Sequence, residues 1–510
     1  MTKLVSIDVE PLEICCDCIT DAYLIDIIVQ RNMRGNCDSC KTENAVMSML
    51  EVSEILETAM DGIYTVTASD PNFLQLMMLK DKESTYEWER EGELTHDIAN
   101  DIIGFGDDKY GHYIQLILSE KHADWEMAKM GEPTPFDDEF YYERRHVFPD
   151  GMYHEWRTFE RIVHEESRYY SAEAREFLDS VFGGLATLET HAGEPVIINF
   201  GQENAANILF RGRYFFEQKE IVEAMARPDI HIGPPPANKS ASNRMNAKGI
   251  SVFYGATSIG VAMAEIRPPV GSTVIMGGFR PIRNLRLLDL EKLKDIPVRG
   301  SLLDPNYLRN AHRNHFFKSL VRKMIQPANP NNSDSEYLTT QVIADYLLNV
   351  PGLDIDGILF PSSQHSSGGE NVVLFYKSSR LLHWEVSKDA TFRGDLYQAY
   401  AEDEYEFEPY VTMSLPHDHE EREEKRRREQ ERIRDTFGGE DYTPPLSDGR
   451  MYRPVSPDPS LSLEPKDISL HQIGAINIDF NSASIERRTY TDSPPRQNED
   501  AGNETFENPF

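Results

Sequence analysis

The chain has 510 residues and 39% of them are hydrophobic, so it has room for two or three domains and at least one large core. Its 52 basic and 86 acidic residues give a formal net charge of −34 at pH 7, and a surface of that charge repels nucleic acid, so no nucleic-acid partner is expected. The first residues lack the basic start and apolar run of a secretory signal, and no stretch of about 18 apolar residues occurs. We therefore expect a cytoplasmic protein with no membrane partner.

All five cysteines fall between Cys15 and Cys40. Cys15 and Cys18 form one C-x-x-C pair, and Cys37 and Cys40 form a second. Two such pairs at this separation are typical of a structural zinc site with four thiolates, and in a reducing compartment that interpretation outweighs disulfides. The alternative is buried or surface thiols without a metal, and the extra thiol, Cys16, could replace either neighbour. We predict a zinc-knuckle module over residues 1–45, with Zn held by Cys15, Cys18, Cys37 and Cys40.

Residues 46–190 carry apolar positions at helical spacing, for example Val52, Ile55 and Leu56, and later Trp156 and Phe159. This periodicity predicts a helical bundle domain. From residue 191 the pattern changes to α+β. Strand-like runs span Pro195 to Phe200, Asn207 to Phe216, Ile250 to Ala256, Ser272 to Phe279, Leu285 to Leu290, Gly357 to Phe360 and Val372 to Tyr376. Helical patterns lie near His312 to Met324 and Leu338 to Leu348.

Polar residues that suit an anionic substrate recur in order along this α+β segment. Arg211 and Arg213 follow an apolar run and share one face of an extended strand, where two guanidiniums suit phosphate. Tyr254 ends a predicted strand, and Thr257 or Ser258 then caps a helix that carries Glu265 in its last turn.

The segment continues with Ser362 and Ser363 after a buried strand, and Asn371 begins the returning strand. A carboxylate, a cationic cradle and an aromatic face are the groups needed to break a glycosidic bond in a nucleotide. No glycine-rich dinucleotide fingerprint or phosphate loop is present, so a dinucleotide would be held in another way.

Five segments together resemble the RES domain family, which is named for an Arg, a Glu and a Ser. They are Leu209-Phe-Arg-Gly-Arg213, Asn243-Arg-Met-Asn-Ala-Lys-Gly-Ile-Ser-Val-Phe-Tyr-Gly-Ala256, Ala264-Glu-Ile-Arg-Pro268, Tyr337-Leu-Thr-Thr-Gln341, and Gly357-Ile-Leu-Phe-Pro-Ser-Ser363 followed by Asn371-Val-Val-Leu-Phe375. The likeness covers roughly residues 195 to 385 and preserves order as well as local context. It implies a fold related to ADP-ribosyltransferases and an enzyme that degrades NAD. Toxin members of the family split NAD with inorganic phosphate, and such a toxin would have an antitoxin or regulatory protein as its partner.

The resemblance implies roles for individual residues. Glu265 would stabilise the cation-like ribose, Tyr254 would lie near the nicotinamide ribose, and Ser362 or Ser363 would bind a substrate phosphate or amide. Arg211, favoured over Arg213 because it directly follows the apolar-aromatic pair, would bind phosphate. Arg213, Arg244, Asn246 and Asn371 are the further candidates for substrate binding.

The reaction class is less sharply defined than the substrate. Phosphate, water or a protein side chain could accept the ADP-ribose, which would make the protein an NAD phosphorylase, an NAD glycohydrolase or an ADP-ribosyltransferase. A different class is a nucleotide-binding sensor or interaction protein without turnover. We favour the phosphorylase, because the resemblance points to phosphate.

The helical domain ahead of the RES-like segment is similar in arrangement to the HEPN-like domains that precede RES domains in long proteins. Arg157 and His164 lie on one predicted helix at the separation of the catalytic pair of HEPN ribonucleases. An amphipathic helix with solvated charges is the simpler interpretation, and the acidic surface disfavours RNA. A ribonuclease therefore remains a weaker alternative.

The predicted domains are a zinc knuckle at 1–45, a HEPN-like helical domain at 46–190, an α+β RES domain at 191–386, and a charged helix with a mostly disordered tail at 387–510. Asp418 to Arg434 carries opposite charges at helical pairing distance and predicts a solvated helix. Residues 440–510 are rich in Pro, Ser, Asn and acidic residues, which predicts disorder, with a short strand at Ile473 to Phe480.

Overall fold

The computed structural model describes residues 12–81, 84–124, 129–130, 134–145, 150–201, 207–326, 333–364, 368–401, 404–437 and 458–476. Within them, helices α1 to α15 are Ala22–Arg31, Met49–Ile63, Phe73–Lys80, Thr95–Ile103, Lys109–Lys121, Asp150–Arg161, Ala172–Phe182, Gln218–Ala226, Pro228–His231, Ile259–Ile266, Leu290–Leu293, Asn306–Ile325, Ser333–Glu336, Leu338–Asn349 and His419–Phe437. A π-helical turn, Ile162–Glu166, continues α6, and 3-10 turns are Cys16–Cys18, Leu185–Thr187 and Ala237–Lys239.

The strands β1 to β18 of the same residues are Glu13–Cys15, Arg34–Asn36, Glu43–Ser48, Tyr64–Val66, Glu93–Leu94, Tyr141–Arg144, Ile197–Phe200, Leu209–Phe215, Phe253–Ala256, Thr273–Pro281, Leu285–Asp289, Gly357–Pro361, Glu370–Leu374, Thr391–Asp395, Gln398–Ala401, Glu404–Glu406, Tyr410–Ser414 and Leu461–Gln472. The mixture of helix and sheet confirms the predicted α+β class. Each strand and helix predicted between residues 195 and 376 is present, with bounds shifted by a few residues.

An eight-stranded sheet organises the α+β part, in the order β18-β10-β8-β9-β13-β12-β11-β7. Neighbouring strands are antiparallel except β11 and β12, which are parallel. Strand β12 is buried on both faces, because Ile358 and Phe360 pack in one hydrophobic core and Leu359 packs in another. Continuous apolar runs are typical of strands covered on both sides. The polar residues Ser362 and Ser363 therefore follow the end of this buried strand, where the candidate site lies.

The hydrophobic cores cross the predicted domain boundaries near residues 45 and 190. The first core joins Trp156 and Phe159 of α6 to Phe316 of α12 and to the sheet residue Ile358. A second core joins Cys15 and Cys37 to residues of α2, α4 and α5. Breaks in composition near residues 45 and 190 mark a change in the type of element, whereas packing continues across them. The boundaries themselves stay predictions.

The end of the chain differs in part from the sequence prediction. Helix α15 confirms the predicted charged helix, but a strand forms at Leu461–Gln472, ahead of the predicted Ile473 to Phe480. This strand, β18, is an edge strand on β10, and Leu461 and Leu463 are buried in the core. The sequence did not predict this strand, because Pro465 lies within it and a proline argues against a central strand. An edge strand tolerates proline, and the pairing shifts register between Gly277 and Phe279, opposite that residue.

Residues 473–476 continue from β18 without strand structure, and residues 477–480 of the predicted strand lie outside the described residues. Most of the predicted disordered tail, residues 438–457 and 477–510, also lies outside them. Among the described helices, none combines the length and the apolar content needed to cross a bilayer.

Candidate active site and metal centre

Strands β8 and β9 pair at a single position, Phe210 with Ala256, and a cavity of about 640 Å³ lies beside this junction. Most of the predicted site residues line it: Arg211, Arg244, Tyr254, Glu265, Ser363 and Asn371. They come from four strands or strand ends, one helix and one loop. Residues up to 160 positions apart in the chain thus share one cavity.

Glu265 reaches the cavity from the last turn of α10. Ser258 caps this helix, because its hydroxyl accepts a hydrogen bond from the backbone N–H of Val261 at 3.3 Å. Arg267 ends the helix in the left-handed conformation, with φ of 50°, and two prolines follow. The short helix therefore places Glu265 at the opening of the cavity.

Three neutral side chains hold the Glu265 carboxylate. The Ser362 hydroxyl and the Asn371 amide donate to Oε1 at 2.9 and 2.7 Å, and the Gln364 amide donates to Oε2 at 3.0 Å. Among the described residues, no lysine, arginine or histidine forms an ion pair with Glu265. The carboxylate is positioned by dipoles and keeps its negative charge available to a cationic substrate group.

Gln364 and Arg267 are site residues that the sequence analysis missed. Arg267 donates from Nε to Gln364 Oε1 at 2.7 Å, which leaves the Gln364 amide nitrogen to face Glu265. Both residues line the cavity. Two sequence features could have indicated them: Arg267 directly precedes the two prolines that end the helix, and Gln364 directly follows the two serines.

Arg211 joins the two strands that diverge at the cavity. Its Nε donates to the Ile232 carbonyl oxygen at 3.0 Å, and one terminal nitrogen donates to the Tyr254 carbonyl oxygen at 2.8 Å. The residue is half-buried overall, and burial lowers the pKa of its guanidinium to about 10, so it stays charged at neutral pH. Arg213 is exposed and is not part of the cavity lining. Of the two arginines, the structure thus places Arg211 at the cavity.

Ser362 and Ser363 also differ in what they contact. Ser362 contacts the carboxylate, and its oxygen also accepts a hydrogen bond from the Gln364 backbone N–H at 3.2 Å. Ser363 lines the cavity itself. Ser362 is therefore placed to position Glu265, and Ser363 is placed to meet a ligand.

Tyr254 lines the cavity, and its hydroxyl forms hydrogen bonds with the loop that carries Arg244. That hydroxyl donates to Asn246 Oδ1 and accepts from the Met245 backbone N–H, each at 3.1 Å, and burial raises its pKa. Asn246 is buried, and its amide donates to carbonyl oxygens of its own loop, such as Ala241 and Ile250 at 2.9 and 3.0 Å. Asn246, like Arg213 and Ser362, does not line the cavity, and its hydrogen bonds hold the loop together.

Arg244 lies in this loop and reaches across to the end of α12, where it donates to the carbonyl oxygens of Met324 and Ile325. A cation is favourable at this negative helix end. Two side chains of helix α14 form hydrogen bonds with the loop that carries Arg244. The Thr340 hydroxyl donates to the Arg244 carbonyl oxygen at 2.7 Å, and the Gln341 amide donates to that of Asn243 at 2.8 Å.

The charges around the cavity are mostly positive. Its described lining residues include three guanidiniums, those of Arg211, Arg244 and Arg267, and one carboxylate, that of Glu265. The sequence analysis also expected three arginines, but with Arg213 in place of Arg267. In a chain of net charge −34, such a cavity favours an anionic ligand with a cationic end near the carboxylate.

Arg157 and His164, the predicted HEPN-like pair, make their described contacts with different residues. Arg157 is exposed and contacts Tyr153 in the preceding turn, both by a hydrogen bond of 3.2 Å and through the ring face. His164 lies in the π-helical turn after α6, and its Nε2 is 3.2 Å from the Thr339 hydroxyl. Each of the two residues thus has a contact partner of its own, and the ribonuclease alternative stays a prediction.

The candidate metal centre lies near the start of the chain. The sulfur atoms of Cys15, Cys18, Cys37 and Cys40 all lie within 4.8 Å of one another. The Cys15–Cys40 and Cys18–Cys37 sulfur distances are 3.7 and 3.8 Å. Four thiolates about 2.3 Å from one zinc ion would be about 3.8 Å apart in a tetrahedron, so the donor set fits structural zinc.

The surroundings of the sulfurs agree with such a site. The Cys15 backbone N–H donates to the Cys37 sulfur at 3.3 Å. Burial raises the pKa of Cys15, whereas a hydrogen bond to Thr42 lowers that of Cys40 to about 6. Buried thiolates need a cation, and a metal would supply it. Cys16 is outside the cluster and faces Asp17, so it replaces neither neighbour.

We predict that the purified protein carries about one equivalent of zinc, that Cys18→Ser abolishes its retention, and that Cys16→Ser leaves it intact. Metal content by mass spectrometry, together with the thermal unfolding temperature, tests this. Chelation should lower the stability of the core that contains Cys15 and Cys37. Equal zinc content in the two serine variants would contradict the assignment.

The comparisons with known proteins agree with the geometry of the cavity. The protein-family model described as the RES domain matches residues 221–394. A search of curated proteins found no match to the chain. The matched residues include Tyr254, Glu265, Ser362 and Asn371, whereas Arg211 precedes them and joins through the shared sheet. This chain therefore carries a RES domain.

Proposed function

We propose that the protein cleaves the nicotinamide–ribose bond of NAD and transfers the ADP-ribose group to inorganic phosphate. A RES domain supports an NAD-acting enzyme with a toxin or defence role in general. The observation that carries the finer proposal is the Glu265 carboxylate, which three neutral donors hold at the edge of a cavity with three guanidiniums.

The chemistry requires little proton transfer. The nicotinamide of NAD is a cationic ring, so when its bond to the ribose carbon breaks, the ring keeps the electron pair and leaves as a neutral molecule. The ribose then carries the positive charge, and Glu265 would stabilise it. A phosphate oxygen forms the new bond to the same carbon, which gives an ADP-ribose phosphate.

The other residues would position the substrate. Arg211 and Arg244 would bind the pyrophosphate, and Arg267 adds a third guanidinium that could receive the incoming phosphate. The Tyr254 ring would face the nicotinamide ribose, while Ser363 and Asn371 would contact the ribose or amide. As a toxin, the enzyme would act with an antitoxin or a regulatory protein that restrains it.

A sensor that binds NAD without turnover is the second candidate. The four-cysteine cluster and the helical region favour this candidate, because cleavage of NAD in one cavity would not require either of them. We favour catalysis, because Glu265 has no permanent cationic partner among the described residues. A ribonuclease gains no support from Arg157 and His164, whose described contacts are with Tyr153 and Thr339.

Incubation with NAD tests the proposal directly. Nicotinamide should be released, the rate should rise and saturate with added phosphate, and the second product should be an ADP-ribose phosphate. Product analysis by chromatography and mass spectrometry distinguishes the alternatives. Free ADP-ribose in phosphate-rich buffer would make the protein a glycohydrolase, ADP-ribose attached to protein would make it a transferase, and NAD binding without release would make it a sensor.

Replacement of the carboxylate should stop the chemistry and preserve the fold. Glu265→Gln removes the charge but little volume, so we expect nicotinamide release to fall on the order of 10²–10³-fold. Glu370→Gln is a matched control, because Glu370 lies in the same region but does not line the cavity. Unchanged turnover in the Glu265 variant would rule out its catalytic role.

The two arginines of β8 should differ in the same assay. Arg211→Lys keeps a charge but loses the fork that reaches Ile232 and Tyr254, so we expect it to impair turnover more than Arg213→Lys. Thermal unfolding of both variants separates a loss of fold from a loss of activity. The reverse ranking would show that Arg213 is the functional arginine.

A further inference from the structure

A second cavity, of about 390 Å³, adjoins the candidate active site. Arg244 and Tyr337 line both cavities. Part of the second wall comes from α6 and the π-helical turn, which contribute Trp156 and His164. These residues precede the segment matched by the RES domain. The helical region ahead of that domain therefore contributes directly to a space next to the Glu265 cavity.

The charges of the second cavity are balanced, in contrast to those of the first. Lys323 lies 2.7 Å from the Glu160 carboxylate and 4.8 Å from the centre of the Trp156 ring. The Glu336 carboxylate also lines this cavity. Apart from Arg244 at the junction, the described lining residues offer no excess of positive charge. The second cavity therefore disfavours a phosphate group, whereas an uncharged ring with polar edges would fit it.

Polar groups that could recognise such a ring are present. His164 and Thr339 face each other across 3.2 Å and both line the cavity. The imidazole and the hydroxyl can each donate or accept a hydrogen bond. Tyr337 adds an aromatic side chain at the junction with the first cavity. Small-molecule sites typically combine apolar walls with a few polar groups of this kind.

We propose that the second cavity holds the adenosine half of NAD. This inference rests on the proposed function. NAD consists of a neutral base with its ribose, an anionic pyrophosphate and a cationic nicotinamide with its ribose, in that order. The structure presents matching groups in the same order: the balanced cavity of His164 and Thr339, the guanidinium of Arg244 at the junction, and the carboxylate of Glu265. The helical region would thereby select dinucleotides over shorter nucleotides.

Comparison of NAD with nicotinamide mononucleotide, which lacks the adenosine half, tests the proposal in the full-length protein. In His164→Ala, kcat/KM for NAD should fall about three- to tenfold, the worth of one hydrogen bond, and kcat/KM for the mononucleotide should not change. Ser335→Trp, which fills the same cavity from an exposed position, should give the same selective loss. His154→Ala is the matched control, because His154 lies on α6, which the π-helical turn of His164 continues, but lines a different cavity.

AMP provides a second readout that does not depend on turnover of the mononucleotide. It should inhibit NAD cleavage competitively, and its inhibition constant should rise in His164→Ala but not in His154→Ala. Equal losses for NAD and the mononucleotide, no change in either cavity variant, or no inhibition by AMP would overturn the adenosine assignment. If the wild-type protein releases no nicotinamide, the proposed function fails; NAD affinity in the same variants then still decides whether this cavity binds the dinucleotide.

Discussion

The arrangement of the candidate active site depends on how the Glu265 carboxylate is held. Its three donors come from the end of β12, from the loop after it, and from β13, while Glu265 itself comes from α10. These hydrogen bonds connect the helix to the strand pair. An ion pair would have neutralised the carboxylate, whereas hydroxyl and amide dipoles orient it and leave its charge. Such an arrangement suits the positive charge that would develop on the ribose in the proposed cleavage.

The cationic side of the cavity is supported by backbone contacts. Arg211 donates to two carbonyl oxygens beside the junction of β8 and β9, and Arg244 donates to carbonyl oxygens at the end of α12. Thr340 and Gln341 of α14 fasten the loop that carries Arg244. Neither guanidinium is paired with a carboxylate among the described contacts. Neither positive charge is therefore offset by a carboxylate, so both can attract an anionic ligand. The hydrogen bonds to backbone carbonyl oxygens hold part of each side chain in place.

The sequence predicted the strands and helices of the α+β segment well, because buried runs such as Gly357–Pro361 have a clear apolar pattern. Six of its candidate site residues line the cavity, and its four candidate zinc ligands form the cysteine cluster. It favoured Arg211 over Arg213, and of these two residues Arg211 lines the cavity. It left Ser362 and Ser363 open, because which of two adjacent residues faces a cavity depends on the backbone geometry after the strand. Gln364 was missed because its role arises from Arg267, a contact between distant parts of the chain. Strand β18 was missed because Pro465 is compatible only with its edge position.

A crystal structure of the Glu265→Gln variant with NAD tests the central claim most directly, since the variant should bind the dinucleotide without cleaving it. We predict that the nicotinamide ribose lies against residue 265, that the pyrophosphate contacts Arg244, and that the ring of Tyr254 faces the ribose. NAD bound in the reverse direction, with adenine next to residue 265, or bound outside this cavity, would contradict the account.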